Sequence, residues 1–338
     1  MTQPHLTRPD LEAAIQKYGP ILQVNPTEPY QNCSIEFFLS HATLIDSKDP
    51  SKNIVHPTAS QLPQAPKKGT QYYFQIEDAC KPGDFSTAIA YVNALCKTGW
   101  TYTDIQFWFF SAFNGPGTAL FSSLEFNKVK HTGTIDLSPL GEHVGDWEYA
   151  AIRIDNTTKE LIGIILSEHG KNILHPKADF AKTFTFEGTH PLIYSSRNGH
   201  ANFPSPGPNF TEPIKILGSP VGLQFDLLNT TAAGGNRLLA YEKYQVVEAD
   251  WLKGTPNAYP SPAWLGYPYR WGPEGTSISM DSKTLGQFIV AALGKSEGVE
   301  VDELLVVKVA SELLHAFVRS DINGSAAPAW DAAWLGNY

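Results

Sequence analysis

The chain has 338 residues, 42% of them hydrophobic and 17% charged, which supports a sizeable core and excludes global disorder. A formal net charge of −9 argues against a nucleic-acid backbone binder, which needs a basic surface. Three cysteines, Cys33, Cys80 and Cys96, show no Cys-x-x-Cys spacing; this excludes a zinc knuckle or redox pair and suits a reducing compartment.

Taken in order, Met1-Thr2-Gln3-Pro4-His5 has no apolar stretch of the kind that opens a secretory leader, so a cytoplasmic location is expected. No apolar run reaches the length of a membrane span. Residues 7–19 read as a short helix, capped by Thr7 with Asp10 and stopped by Gly19-Pro20. Ile21 to Val24 reads as a strand. Ser34 to Leu39 and Ala42 to Ile45 read as extended or short helical pieces. Residues 47–70 are rich in Pro, Lys and Ser and read as a surface loop. Gln71 to Ile76 is a strand. Residues 84–96 are expected to be helical, with Ala88, Ile89, Val92 and Leu95 on one face. Ile105 to Phe110 is strongly β-prone and leads to a turn at Asn114-Gly115-Pro116-Gly117.

Leu120 to Phe126 leads into the central stretch, Gly141-Glu142-His143-Val144-Gly145-Asp146-Trp147-Glu148. Trp147 to Ile154 and Leu161 to Ser167 form a hairpin around the turn at residues 155–158. Thr183 to Phe186, Leu192 to Ser195 and Tyr244 to Asp250 are further strands. Residues 254–275 are irregular and aromatic. Leu285 to Leu293 and Asp302 to Val318 carry helical stripes. The expected fold is mainly β: an antiparallel β-sandwich with peripheral helices and long loops, one domain over 1–338 with a helical appendage at 282–320.

The central stretch carries the chemistry. Side chains two apart on a strand point the same way, so Asp146 and Glu148 share a face, roughly 6.6 to 6.8 Å apart at Cα. His143 precedes them in a turn that Gly141 and Gly145 make flexible. Two inward acids without a counter-charge would be costly. An imidazole and two carboxylates converging on one point suit a divalent cation: Ca²⁺ or Mg²⁺ first, then Mn²⁺, with Zn²⁺ last. Asn114 follows the aromatic strand and offers an amide oxygen as a fourth ligand. The ordinary alternative makes Trp147 a core residue and the acids hydrogen-bonded strand carboxylates.

His169 and His200 each end an expected strand beside glycine and are candidate acid–base groups, with a surface or capped histidine as the ordinary alternative. Tyr194, Arg197, Trp264 and Trp271 are candidate substrate contacts; core packing explains the tryptophans equally well. There is no Gly-x-Ser-x-Gly elbow, His-Glu-x-x-His helix or Gly-Lys-Ser/Thr phosphate loop.

Several longer motifs resemble the vacuolar protein sorting sixty-two-like family of fungi and plants. They are residues 143–148, Ser167-Glu168-His169-Gly170, residues 194–204, residues 110–116, Tyr244-Gln245-Val246-Val247 and Arg270-Trp271-Gly272-Pro273. Tyr18-Gly19-Pro20 and Pro26-x-Glu28-x-Tyr30 fit it too, so the resemblance runs from about residue 17 to 275. His-x-x-Asp-Trp-Glu is also distantly similar to the signature of necrosis-inducing, ethylene-inducing peptide-like proteins. That resemblance implies a β-sandwich holding a divalent cation with His143, Asp146 and Glu148, and a lipid head-group ligand. Two departures are that Gly145 replaces a second histidine of that signature and Asn114 an upstream acid.

Two functions are therefore expected to compete. The first is a divalent-metal-dependent enzyme acting on a small oxygenated substrate, by hydrolysis, cyclisation or elimination, with His169 or His200 as general base or acid. The alternative is a cation-dependent module that binds a glycan or lipid head group. A third reading makes the cation structural. None involves nucleic acid or a membrane span.

Overall fold

The computed structural model describes residues 5–126, 129–136, 138, 141–168, 171–210, 214–215, 224–273 and 324–338. It begins with helix α1 (Arg8–Tyr18). The Thr7 hydroxyl accepts from the Asp10 amide, and the Asp10 carboxylate accepts from the Thr7 amide, both at 3.2 Å, closing a capping box. The helix buries Leu11, Ala14, Ile15 and Tyr18 and stops where Gly19 and Pro20 leave helical geometry. A second short helix, α2 (Ile35–Leu39), is capped by the Ser34 hydroxyl.

The described residues carry nineteen strands. The first four are β1 (Ile21–Gln23), β2 (Ala42–Asp46), β3 (Ile54–Val55) and β4 (Tyr72–Ile76). Next come β5 (Ala90–Leu95), β6 (Tyr102–Asn114), β7 (Thr118–Phe126) and β8 (Val129–Asp136). Then come β9 (His143–Asp155), β10 (Leu161–Glu168) and β11 (Lys171–Pro176). After the four-residue helix α3 (Phe180–Thr183) the chain forms β12 (Phe186–Glu187), β13 (His190–Ser195), β14 (Asn202–Phe203) and β15 (Gly207–Phe210). The last are β16 (Ile214–Lys215), β17 (Gln224–Thr231), β18 (Arg237–Leu239) and β19 (Tyr244–Ala249).

The central sheet has the order β11-β10-β9-β6-β5-β19. One face meets α1 and the sheet containing β1, β13 and β18, through Leu22, Ile193 and Leu238 against Ile105, Phe107 and Ile152. The other face meets α2, the β3-β2-β4 sheet and the aromatic segment around Trp264 and Trp271. The central sheet is thus sandwiched, and the mainly β expectation holds. Pairing is antiparallel apart from β1 with β13 and β5 with β19.

Three expected elements differ. Residues 84–96 do not form a helix: Phe85–Thr87 is one 3₁₀ turn and Ala90–Leu95 is strand β5. Every residue of β5 is buried because both faces of its sheet are covered, and a short segment apolar on both faces cannot be told from a buried helix by periodicity. Over 183–186, the expected strand is the end of α3 followed by β12. The loop read over 47–70 contains β3, whose two residues pair with β2. The expected helices at 285–293 and 302–318, hence the appendage at 282–320, lie outside the described residues. All three cysteines are free, with Cys33 and Cys80 buried. Among the described residues no helix is long and apolar enough to cross a membrane.

Candidate functional site

The site grows from the β6–β9 ladder. These strands pair antiparallel from Tyr102 opposite Asp155 to Asn114 opposite His143. The regular pleat ends at Gly145, whose φ is +70°, a left-handed value that L side chains rarely adopt. Strict alternation would set Val144 opposite Trp147 across the sheet. Instead Val144 packs into the same cluster as Trp147. Beyond that kink His143 lines a cleft with Asp146 and Glu148. A side chain at 145 would also run into Trp271, whose Cβ would lie 2.5 Å from the new Cβ. His143 is therefore a strand residue, not part of a turn, and the glycine beside it sets its direction.

The cleft has a volume of 720 Å³. Asn114 sits at the end of β6 and donates through Nδ2 to the carbonyls of Gly115 (3.0 Å) and Gly141 (2.6 Å). Both amide hydrogens are engaged, which identifies Oδ1 as its acceptor atom. The His143 Nδ1 lies 3.2 Å from the Gly145 carbonyl, which can only accept, so Nδ1 carries the proton there. Arg197 lines the same cleft and pairs at 3.4 Å with Asp136.

His200 has a different place. It is buried, and both of its ring nitrogens face acceptors. Its Nδ1 lies 2.8 Å from Asp146 Oδ2, and its Nε2 donates at 2.7 Å to the Tyr30 carbonyl. Glu28 stands 3.7 Å from Nε2. Burial works against the imidazolium, but the bond to Asp146 and the nearby carboxylate of Glu28 outweigh it and raise His200 well above the ordinary histidine range. Burial likewise pushes Asp146 up, yet the bond from His200 and the nearby His143 hold it below the usual carboxylate range. Glu148 is placed less favourably. Burial, with the charge of Asp146 beside it, raises it well above its ordinary value, and the opposing pull of His200 and Ser167 is weaker. Two carboxyls on one strand face are thus pushed in opposite directions, Asp146 down by its histidine partners and Glu148 up by burial and by Asp146.

The loop that delivers His200 is pinned from three sides. The Asn198 N–H donates to Glu28 Oε2 at 2.5 Å, and the Gly115 N–H donates to the Asn198 carbonyl at 2.9 Å. Asn198 Nδ2 donates to the Pro116 carbonyl at 3.0 Å. Asn198 and His200 both take positive φ, 68° and 53°. Glu28 was legible in the sequence only as part of Pro26-x-Glu28-x-Tyr30; nothing there shows that it meets His200.

The far wall is the C-terminal segment 324–338, which sequence reading missed. Ser325 Oγ lies 3.5 Å from Asp146 Oδ1, and the Ser325 N–H donates to the Gly145 carbonyl. Trp330, Asp331 and Arg270 also line the cleft. Charge in 324–338 is confined to Asp331, so no motif marks the segment.

The remaining candidates lie elsewhere. Tyr194 is buried in β13 with Ile21 and Leu192. Trp264 is buried and stacked on Trp147 with ring centroids 5.3 Å apart. Trp271 is fully buried against Phe38, Phe74 and Phe110. None of the three lines the cleft; Trp264 and Trp271 pack behind it against Trp147. His169 lies outside the described residues.

No curated protein sequence matches the chain. Among solved structures it is similar to necrosis and ethylene inducing protein 2 from the causal agent of cocoa's witches' broom disease. That pair shares 19% identity over 60% of this chain and 70% of the other, with a TM-score of 0.31. It is similar to NLPPya in complex with mannosamine at 16% identity, covering 78% of this chain and 82% of the other, with a TM-score of 0.33. Non-toxic HaNLP3 is 15% identical, over 73% and 78%, with a TM-score of 0.32. These likenesses are distant and decide nothing about the cleft. The sequence itself says more: residues 3–336 match the family model described as vacuolar protein sorting-associated protein 62, and on that near-complete match the chain belongs to this family.

Proposed function

We propose that the protein is a binding module whose cleft takes a polyhydroxylated head group, the sugar of a glycan or glycolipid. The observation that carries this reading is the mixture of polar groups in one open cleft. Asp146 and Glu148 offer carboxyl groups, Arg197 offers guanidinium donors, and Asn114 presents a fixed acceptor. A sugar hydroxyl both donates and accepts, so alternating groups of this kind match a ring of hydroxyls better than they match a lone anion or cation.

A divalent cation, Ca²⁺ or Mg²⁺, is part of the proposal. The donor chemistry fits: an imidazole oriented through Nδ1, an ionised carboxylate, and an amide oxygen. Glu148 adds a second carboxyl, whose upward shift beside Asp146 a cation would relieve. Among the described residues no three His, Cys, Asp or Glu side chains are already placed to hold a metal ion. His143, Asp146, Glu148 and Asn114 would hold the ion, which supplies a positive charge for neighbouring hydroxyl oxygens. Calorimetry with Ca²⁺ or Mg²⁺, then with methyl glycosides and glycolipid vesicles with and without the ion, tests both parts. Binding to no glycoside and no glycolipid vesicle under either condition sinks the reading.

One observation favours a second reading, an enzyme acting on the same ligand. Two neighbouring carboxyls with opposed shifts are the arrangement of a general acid beside an ionised partner. In that reading Glu148 gives the proton. His200 is already committed on both nitrogens, so its part is to hold Asp146. Product analysis separates the two readings: an enzyme converts a glycoside over time and Glu148→Gln abolishes the conversion, whereas a binding module returns every glycoside unchanged.

A further inference from the structure

Trp330 is 57% exposed, which is unusual for so large an apolar side chain on a segment otherwise well anchored. Its exposure is not looseness. It closes a 3₁₀ turn, Pro328–Trp330, with its own N–H on the Ala327 carbonyl at 2.9 Å. The next N–H, of Asp331, donates to the Pro328 carbonyl at 2.8 Å. Four residues on, Trp334 is buried against Trp108, ring centroids 5.6 Å apart. Asn93 Nδ2 and Gln106 Nε2 grip the carbonyls of Trp334 and Ala333 at 2.9 and 2.5 Å. On the other side Ala326 bridges to Arg270. A rigid turn therefore holds an indole out of the core, and that indole lines the cleft. Asp331, beside it, is exposed, lines the cleft too, and is oriented by its bond from the Ala333 N–H at 2.7 Å.

We propose that Trp330 is the stacking platform of the cleft. Its ring takes the apolar C–H face of a pyranose, and the Asp331 carboxylate accepts from a hydroxyl at the ring edge. The electron-rich face of an indole attracts the slightly positive C–H groups of a sugar ring, and stacking buries both apolar surfaces. A flat neutral sugar face is thereby selected over a phosphate or other compact anion, which has no such face. This inference rests on the glycan-binding reading above and adds to it the surface that reads the ring.

Saturation-transfer NMR and calorimetry with the methyl glycosides of glucose, galactose and mannose test it on the full chain. The expected result is transfer concentrated on the C–H protons of one ring face for at least one of them. Trp330→Ala should weaken that glycoside about tenfold, the scale of one aromatic contact. Trp330→Phe should restore most of the loss, and thermal melting should be unchanged in both. If the wild-type protein binds a glycoside but Trp330→Ala binds it equally well, the platform is overturned while the binding reading stands. If the wild-type binds none of them, the platform falls too; glycolipid vesicles then decide the broader reading on their own.

Discussion

Gly145 is the residue at which an ordinary strand becomes a cleft wall. Its left-handed φ turns His143 toward Asp146 and Glu148, and its missing side chain lets Trp271 come close. Gly145→Ala should therefore destabilise the fold by about 2–5 kcal/mol, from left-handed strain plus a steric clash. Urea denaturation measures this, and a loss below about 1 kcal/mol would show that the kink tolerates a side chain. His175 in β11 offers a second test at this scale. Its Nε2 is buried without a hydrogen-bond partner among the described residues, and the ring meets Phe184 edge-on at 5.2 Å. Burial lowers it below its ordinary value of 6.5, against the opposing pull of Asp179. Its folded state thus resists protonation. The stability it contributes is complete above about pH 6.5 and is lost as pH falls through the lower folded value. His175→Leu should flatten this part of the acid limb, seen as a smaller drop in melting temperature between pH 7.5 and pH 5 than the wild-type shows.

Strand β9 carries two kinds of carboxyl pairing. Near its kinked end Asp146 meets His200. Toward its other end Arg153 meets Asp104 of β6, its register partner, through two bonds of 2.7 and 2.9 Å. The Asp104 side chain is fully buried, and burial raises its pKa even against Arg153. Removing the guanidinium strands a charge in the sheet, so Arg153→Leu should cost about 3–5 kcal/mol. Replacing both residues by leucine should recover most of that loss in urea denaturation; if the double variant is no better than the single one, the ion pair is not what holds this ladder. The contrast between the ends of β9 explains the site. An arginine fork satisfies Asp104 within the sheet, whereas Asp146 borrows its counter-charge from a loop, and burial beside Asp146 raises Glu148.

Across the whole molecule the cleft is composite. One wall is β9, a second is the loop after β13, and the third is the C-terminal segment. That third wall stays in place through Asn93 and Gln106, which reach up from the central sheet to its carbonyls. Asn93→Ala leaves a buried carbonyl without its donor, which costs about 1–3 kcal/mol locally. The segment should then open often enough for chymotrypsin to cut after Trp334, a residue only 2% exposed in the closed state. Mass spectrometry of a timed digest reads the outcome; equal resistance in variant and wild-type would mean that Trp334 packing alone secures the wall.

Much of the architecture was legible in the sequence where local rules suffice. Thr7 with Asp10 marked α1, β-prone aromatic residues marked β6, the hairpin pattern marked β9 and β10, and the Asp146-x-Glu148 spacing placed two acids on one face. The 84–96 segment was not legible, because a strand buried on both faces loses the alternation that identifies it. Nor was the division of labour at the site. Glu28 and Asp146 lie 172 and 54 residues from His200 along the chain, yet the three form one buried ion cluster. Trp330 and Ser325 reach the cleft from a segment with no motif at all. By itself, then, the sequence determined the family, the β-rich architecture and the acids that face the cleft, since these follow from pattern along the chain. The charge each acid carries, and which side chains surround it, were decided only by tertiary structure, because burial and long-range pairing set them.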